Sequence, residues 1–422
     1  MKIQNLQSES KGDWSRVSAT VTWEDCDRPT RTIYFETTGE AAQDLICNPD
    51  AFLVAAIVPA MDHQEKRLFI DAEICPQLWD GVEVALQWMR QWYKIDHTIV
   101  IEAKPRSQPL ISQPRDRAGF MFSGGIDSLS LLRANHLRFP PTHPGFIREG
   151  ILIHGFNFGR YEGAEQLDAF KTLESRLLDL SQQIGIKLIS VRTNLRHLDN
   201  EHPIWGYKLQ GAALSAVAHT LIRRLTSVSI GSTHSIQTMQ PKGSHPLLDP
   251  NYSSFNLKVQ HGGIEYSRLA KTRLVADWDL ALQQLRVCDK VNALGRSDLQ
   301  NCCQCDKCIR TMAGLMVLDK LEQASTFAVK DVTTELLFSI RNQVNTAYQA
   351  NCYEELIAPL AAQGRNDLAR GLKQIVAGYK RKAEIKQFDQ RYLNGGLVKL
   401  VKAIRGGSEQ QVGYSQQNAV RI

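Results

Sequence analysis

Ser123-Gly124-Gly125-Ile126-Asp127-Ser128 brings two glycines, two hydroxyls and a carboxylate into six consecutive positions. Paired glycines let the backbone turn so that successive N–H groups face one concavity, and the serine hydroxyls add donors to it. Such a concavity takes a polyphosphate when a helix starts behind it and presents the positive end of its dipole. The flanks supply that frame. Gly119, Phe120, Met121 and Phe122 read as a strand, and Leu129, Leu131 and Leu132 mark one side of a helix beginning near Asp127. The G-x-x-x-x-G-K-[ST] pattern is missing, so no lysine of this loop reaches a terminal phosphate, and Asp127 is instead placed to hold Mg2+ against the phosphates. Phe122 to Leu129 is therefore the candidate polyphosphate loop. A plain Ser-Gly turn capping a helix is the alternative, against which the strand and helix flanks weigh.

A second concentration of chemistry lies downstream. Cys302, Cys303, Cys305 and Cys308 crowd together, and Cys288 stands fourteen positions before Cys302. Cys302-x-x-Cys305-x-x-Cys308 places three thiolates on tight turns, and Cys288 completes an S4 set of the kind that holds structural Zn2+. Cys303 competes with Cys302 for one position; the spacing favours Cys302. Buried free thiols, a redox pair and an iron–sulfur cluster are weaker readings of the same crowding.

Ser123, Gly124, Gly125, Asp127 and Ser128 match every fixed position of the S-G-G-x-D-S signature, and in this the chain resembles the PP-loop ATP pyrophosphatases. With the C-terminal C-x-x-C-x-x-C it resembles one branch of them, the 7-cyano-7-deazaguanine synthases, over about Ala118 to Lys320. The resemblance implies a Rossmann-like parallel sheet of the HUP type and adenylation of a carboxylate with release of pyrophosphate. It also implies an aromatic and glycine turn near the nucleotide at His154 to Gly159, including Asn157 and Phe158, and a substrate-facing turn at Gly231-Ser232-Thr233. Lys271 matches a family lysine, and Lys208 falls where the family usually carries arginine; both would offset charge in the transition state. The chain departs from the family's minimal proteins in its wider cysteine spacing and in its additional first hundred and last ninety residues. In this it looks more like the enlarged synthase-like proteins of bacterial antiviral defence loci. The implied substrate is 7-carboxy-7-deazaguanine, and the implied acceptor of the activated carboxyl is ammonia or an amine of a partner protein.

Length and composition set the outer frame. A chain of 422 residues divides into two or three domains, and 43% hydrophobic with 22% charged residues is ordinary for a globular protein. No run of about eighteen apolar residues exists, the start Met1-Lys2-Ile3-Gln4-Asn5 lacks the apolar core of a signal peptide, and nine bunched cysteines suit a reducing compartment. A cytoplasmic protein without a membrane partner is expected.

The elements that must position the loop follow. Alternation at Val17 to Trp23, Thr32 to Glu36 and Lys66 to Asp71, with a helix over Gln77 to Tyr93 and a strand at Thr98 to Ile101, predicts a small separate α+β domain over 1–104, with Lys104 to Pro109 as a linker. Of Trp79, Trp88 and Trp92 on that helix, Trp88 and Trp92 at helical spacing read as core. From Ala118, apolar runs at Gly119 to Phe122, Gly150 to Ile153, Lys187 to Val191 and Ser227 to Ile230 alternate with helices starting near Asp127, Glu165 and Tyr207, the rhythm of a parallel sheet covered on both faces. Asn157, Thr193, Asn194 and Ser232 to His234 lie at strand ends, where ligands of such sheets bind.

The Gly- and Pro-rich stretch Ser235 to Asn256 reads as a functional loop or lid in which Lys242, His245 and Asp249 can meet substrate, or as a merely solvated one. After Lys320 the pattern is helical to about 405. Between Arg370 and Arg405 it carries ten Lys or Arg, which a solvated helix face explains more readily than nucleic-acid binding; 406–422 reads as a tail. Oligomeric state is not encoded legibly. An asparagine-synthetase-type amidotransferase is disfavoured because residue two is Lys2. A transfer-RNA thiolase has only Cys303 as its catalytic thiol, and a non-catalytic nucleotide sensor would need the same loop.

Overall fold

Along the strand Trp14–Thr22 the apolar side chains of Val17, Ala19 and Val21 alternate into the core. The computed structural model describes residues 1–112, 117–160, 166–200, 204–288, 290, 300–394 and 396. Its strands are β1 (Lys2–Lys11), β2 (Trp14–Thr22), β3 (Arg31–Thr38), β4 (Arg67–Ile74), β5 (Val100–Pro105), β6 (Ala118–Met121), β7 (Ile147–His154), β8 (Lys187–Thr193), β9 (Ser227–Gly231) and β10 (Lys258–Gly262). All ten join one sheet in the order β10-β9-β6-β7-β8-β3-β2-β1-β4-β5. The five from β10 to β8 run parallel, and β8, β3, β2 and β1 pair antiparallel in turn. The protein is thus α/β with a large, mostly parallel central sheet.

The helices are α1 (Pro49–Asp62), α2 (Pro76–Tyr93), α3 (Ile126–Arg138), α4 (Leu167–Ile184), α5 (Gln210–His219), α6 (Arg268–Ala276), α7 (Asp279–Leu282), α8 (Asp306–Val317), α9 (Thr334–Ser339), α10 (Ala347–Ala362) and α11 (Asn366–Tyr392). Among the described residues no helix is long and apolar enough to cross a membrane.

The first hundred residues do not form the separate domain expected from their strand pattern. β3 pairs with β8 through Phe35↔Thr193, Glu36↔Arg192 and Thr37↔Val191, which extends the parallel sheet instead of starting a second one. α1 explains the fusion. It is apolar on every side and buried from Asp50 to Met61, so it must be enclosed by several elements, and α5 and β4 both pack on it. The expected linker is likewise part of the fold. Lys104 and Pro105 belong to β5, and the buried Arg106 guanidinium pairs with the buried Asp50 carboxylate of α1.

The chain divides into one unit of Met1–Cys302 with Gln323–Thr326 and a second of Cys303–Glu322 with Phe327 onward. In the second unit Asp306 is a buried hub. Its carboxylate accepts from Tyr353 Oη at 2.8 Å and Gln349 Nε2 at 3.0 Å, and Arg310 Nη1 lies at 3.2 Å. Thr346 and Gln349 form a capping box that starts α10. Arg370, Lys373, Lys380, Arg381, Lys382, Lys386 and Arg391 of α11 are exposed. The tail at 406–422 lies outside the described residues.

Candidate nucleotide site and cysteine cluster

Strand order decides where a ligand can sit. From β6 the chain moves outward through β7 to β8, then crosses back to β9 on the other side of β6, so the winding reverses between β6 and β9. The crevice beyond the carboxyl ends of two such strands is the usual ligand site of doubly wound sheets. Two turns meet there, Phe122–Gly125 after β6 and Gly231–Thr233 after β9.

In the first turn Gly124 has φ +73°, a conformation that a side chain disfavours, and Gly125 is the extended cap from which α3 starts. Ser123 Oγ lies 3.3 Å from Ser128 Oγ, and Ser128 Oγ donates to Gly125 O at 3.1 Å, so the hydroxyls tie the turn to the first turn of α3. Phe122, Ile126 and Leu129 are buried and anchor both ends. The second turn presses on the first. A Cβ on Gly231 would stand 2.8 Å from Asp127 O. Gly231→Ala is therefore expected to leave the fold intact and push Asp127 outward, weakening nucleotide binding at least tenfold by titration calorimetry; unchanged affinity would show that the two turns move independently.

The Asp127 carboxylate lies at the opening. Arg268 Nη1 is 3.0 Å from its Oδ1, and Thr233 Oγ1 donates to Oδ2 at 3.4 Å. Lys271, one turn further along α6, is buried and donates to Ser232 O at 2.6 Å, so it braces the second turn from behind. The sequence reading names Lys271 and misses Arg268, although a second cation three residues before the lysine on the same helix is a visible signal. Buried His234 faces the same region. Desolvation, with the neighbouring Lys242 ammonium adding to it, holds its imidazole down at about 4.

Beyond β7, Gly155 has φ +111° and no space for a side chain, since a Cβ would meet Thr193 O at 1.8 Å. This crossing turns the chain so that Asn157 is exposed while Phe158 is buried, with the Arg286 guanidinium 5.0 Å above the ring. Arg286 N donates to Gly124 O at 3.1 Å, which lays the Leu285–Val287 segment along the Ser123–Ser128 turn. Thr193 and Asn194 are used structurally. Thr193 Oγ1 accepts from Leu195 N, and Asn194 bridges to Tyr34 N and Thr32 O of β3.

Three other sequence candidates have partners of their own. Lys208 sits in a π-helical turn, Trp205–Leu209, which leads into α5 where the sequence predicts a helix starting near Tyr207; its ammonium pairs with Asp62 of α1, beside the Tyr93 ring. Asp249 is fully buried: Ser244 Oγ donates to Oδ2 at 2.7 Å, His261 Nδ1 of β10 lies 2.7 Å from the same oxygen, and His245 N donates to Oδ1 at 3.2 Å. His245 packs edge-on against Trp92 at 4.7 Å and accepts from Leu247 N through Nδ1. These contacts pin the middle of the 235–256 segment to the sheet and α2. Trp79 and Trp92 are half-buried and Trp88 is exposed, so the tryptophan helix is only partly core.

Desolvation, and His261 nearby, also hold His245 down at about 4. Both histidines thus have folded values below the ordinary 6.5, and the unfolded chain takes up their protons first. Their contribution to stability is complete above about 6.5 and is lost as pH falls towards 4. His245→Gln is expected to flatten the fall in Tm between pH 6.5 and 4; an unaltered slope would exclude this residue as its source.

Cys288, Cys302, Cys305 and Cys308 have sulfur atoms all within 4.8 Å of one another, and only Cys302 is more than slightly accessible. Thiolates arranged tetrahedrally around zinc at about 2.3 Å stand roughly 3.8 Å apart, so the set fits a metal such as zinc with little adjustment. Cys303, which competes with Cys302 in sequence, takes a left-handed backbone (φ +57°) and lies outside the group. Asn301 organises the approach: its Oδ1 accepts from Val287 N and its Nδ2 donates to Leu285 O, both at 2.9 Å, which brings Cys288 and Cys302 together. Asn301 and Arg286 escape sequence reading because their partners, Val287 N and Leu285 O for the first and Gly124 O and the Phe158 ring for the second, are brought close only by the fold.

Comparison with known proteins finds no matching family model, no matching curated protein and no matching solved structure.

Proposed function

We propose that the protein is an ATP-dependent C–N ligase that activates a carboxylate by adenylation. The observation that supports this most directly is the Ser123–Ser128 loop at the reversal point of the sheet, with the Asp127 carboxylate at its opening between Thr233 and Arg268. Main-chain N–H groups of the loop and the start of α3 would bind the phosphates of ATP. Mg2+ held by Asp127 would neutralise phosphate charge. A substrate carboxylate oxygen attacks the α-phosphorus, the bond to the β-phosphate oxygen breaks, and pyrophosphate leaves. An amine then attacks the acyl carbon, AMP departs with the bonding electron pair, and the amine's proton passes to solvent or a nearby base. In this scheme Lys271 acts by holding the Gly231–Thr233 turn, and Lys208 has no step because Asp62 holds it.

The resemblance to 7-cyano-7-deazaguanine synthases makes 7-carboxy-7-deazaguanine the first substrate to try. The likeness to enlarged forms from antiviral defence loci makes a protein amine the preferred acceptor, with ammonia the alternative. With ammonia the product is an amide and, after a second ATP, a nitrile.

The test is AMP and pyrophosphate release from ATP and 7-carboxy-7-deazaguanine, with ammonia or candidate partner proteins, followed by intact mass of every component. A protein mass increase identifies a conjugating enzyme, and a nitrile identifies a free synthase. Nucleotide binding without substrate-dependent AMP, across a panel of carboxylates, overturns the ligase reading in favour of a sensor.

A further inference from the structure

Arg268 is the charged neighbour of Asp127 that the adenylation scheme does not use. The phosphate loop offers main-chain N–H groups and hydroxyls, which carry partial charges only, whereas polyphosphates carry several full ones. Asp127 at the opening adds a negative charge, so a phosphate cannot settle beside it unless a cation lies between them. Arg268 is placed to be that cation. Its side chain is nine-tenths buried, and its Nη1 is 3.0 Å from Asp127 Oδ1. The position is well defined: Ser267 caps α6 by accepting from Ala270 N at 3.3 Å, and Thr272 Oγ1 donates to Arg268 O at 2.9 Å. One turn along α6, Lys271 holds Ser232 O. The first turn of α6 therefore directs one cation behind the Gly231–Thr233 turn and the other to its front.

We infer that Arg268 is a phosphate-binding residue of this site, holding Asp127 with one edge of its guanidinium and a phosphate oxygen with another. This rests on the reading of the loop as an ATP site. A guanidinium suits both tasks, because it keeps its charge at any physiological pH and has five N–H donors in a planar fork. Mg2+ competes with it for the Asp127 carboxylate. When Mg2+ takes Asp127, Arg268 transfers wholly to the phosphates, so the two cations act in sequence on one carboxylate.

This sets a sign that a merely structural ion pair does not share. Removing the arginine should weaken Mg2+-free phosphate binding, and neutralising the aspartate should strengthen it, whereas loss of a purely structural pair moves both in the same direction. The experiment is titration calorimetry of the full chain with ATP and with inorganic pyrophosphate, in EDTA and in Mg2+, for wild type, Arg268→Ala, Arg268→Lys and Asp127→Asn, with Tm recorded for each. In EDTA, Arg268→Ala is expected to lose at least tenfold in affinity, Arg268→Lys to lose less, and Asp127→Asn to gain severalfold. Should Arg268→Ala fail to fold, Arg268→Lys and Asp127→Asn still carry the opposite signs. Wild-type EDTA affinity in Arg268→Ala, weakening in Asp127→Asn, or ATP binding by wild type only with Mg2+ overturns the inference and leaves the ATP reading standing. Wild type that binds neither ligand under either condition overturns both.

Discussion

Asp127→Ala is expected to reduce AMP and pyrophosphate release at least ~10³-fold while changing Tm by only a few degrees. Both halves follow from its surroundings. The carboxylate is at the mouth of the Ser123–Ser128 turn and partly open to solvent, so water reaches the nine-tenths buried Arg268 guanidinium once Asp127 is removed, and the loss of stability stays at about 2 kcal/mol. In the proposed adenylation its effect would be larger, because it sits at the N-terminal start of α3, where phosphate charge would concentrate, and is positioned by Thr233 and Arg268. Steady-state AMP formation beside a thermal melt separates the two effects, and turnover near that of wild type would remove Asp127 from the chemistry.

Metal removal should have the other large effect. A structural zinc on four thiolates contributes an apparent ~10–16 kcal/mol in small metal-folded domains, so stripping it should lower Tm by more than a typical single core substitution does. Nucleotide affinity should fall as well. Cys288 follows Val287, which Asn301 holds, and Arg286 N is bonded to Gly124 O of the phosphate loop, so slack at the cysteines reaches the loop within a few residues. Elemental analysis of protein purified under reducing conditions, then melts and ATP titrations before and after chelation, would read both effects. Cys308→Ala should reproduce the chelated state. Absence of stoichiometric metal would remove the site, and metal loss with unchanged ATP affinity would break the link to the loop.

Locally encoded features were the legible ones. The strand–loop–helix at Phe122 to Leu129 depends on glycines, small hydroxyls and flanking apolar residues within one short segment, and three members of the cysteine group, Cys302, Cys305 and Cys308, on spacing that only tight turns need bridge. The placement of the N-terminal strands was not legible. Alternation says which face of a strand is buried and nothing about its edge partner, so joining β3 to β8 could not be read from either. α1 also gave no periodic signal, because a helix apolar all round has no polar face to mark its turns.

By itself the sequence determined the alternating α/β character of the region after Ala118, the strand–turn–helix at Phe122 to Leu129 and the residues able to gather a metal. Tertiary structure alone decided which polar side chains meet: Arg268 with Asp127, Lys208 with Asp62, and His261 with Asp249. Residues in these pairs stand 141, 146 and 12 positions apart. Sequence patterns report neighbours on one helix or strand, whereas an ion pair depends on where separate elements are carried by the packing of the whole sheet, and that packing also drew His245 and Asp249 into the structure of their own loop.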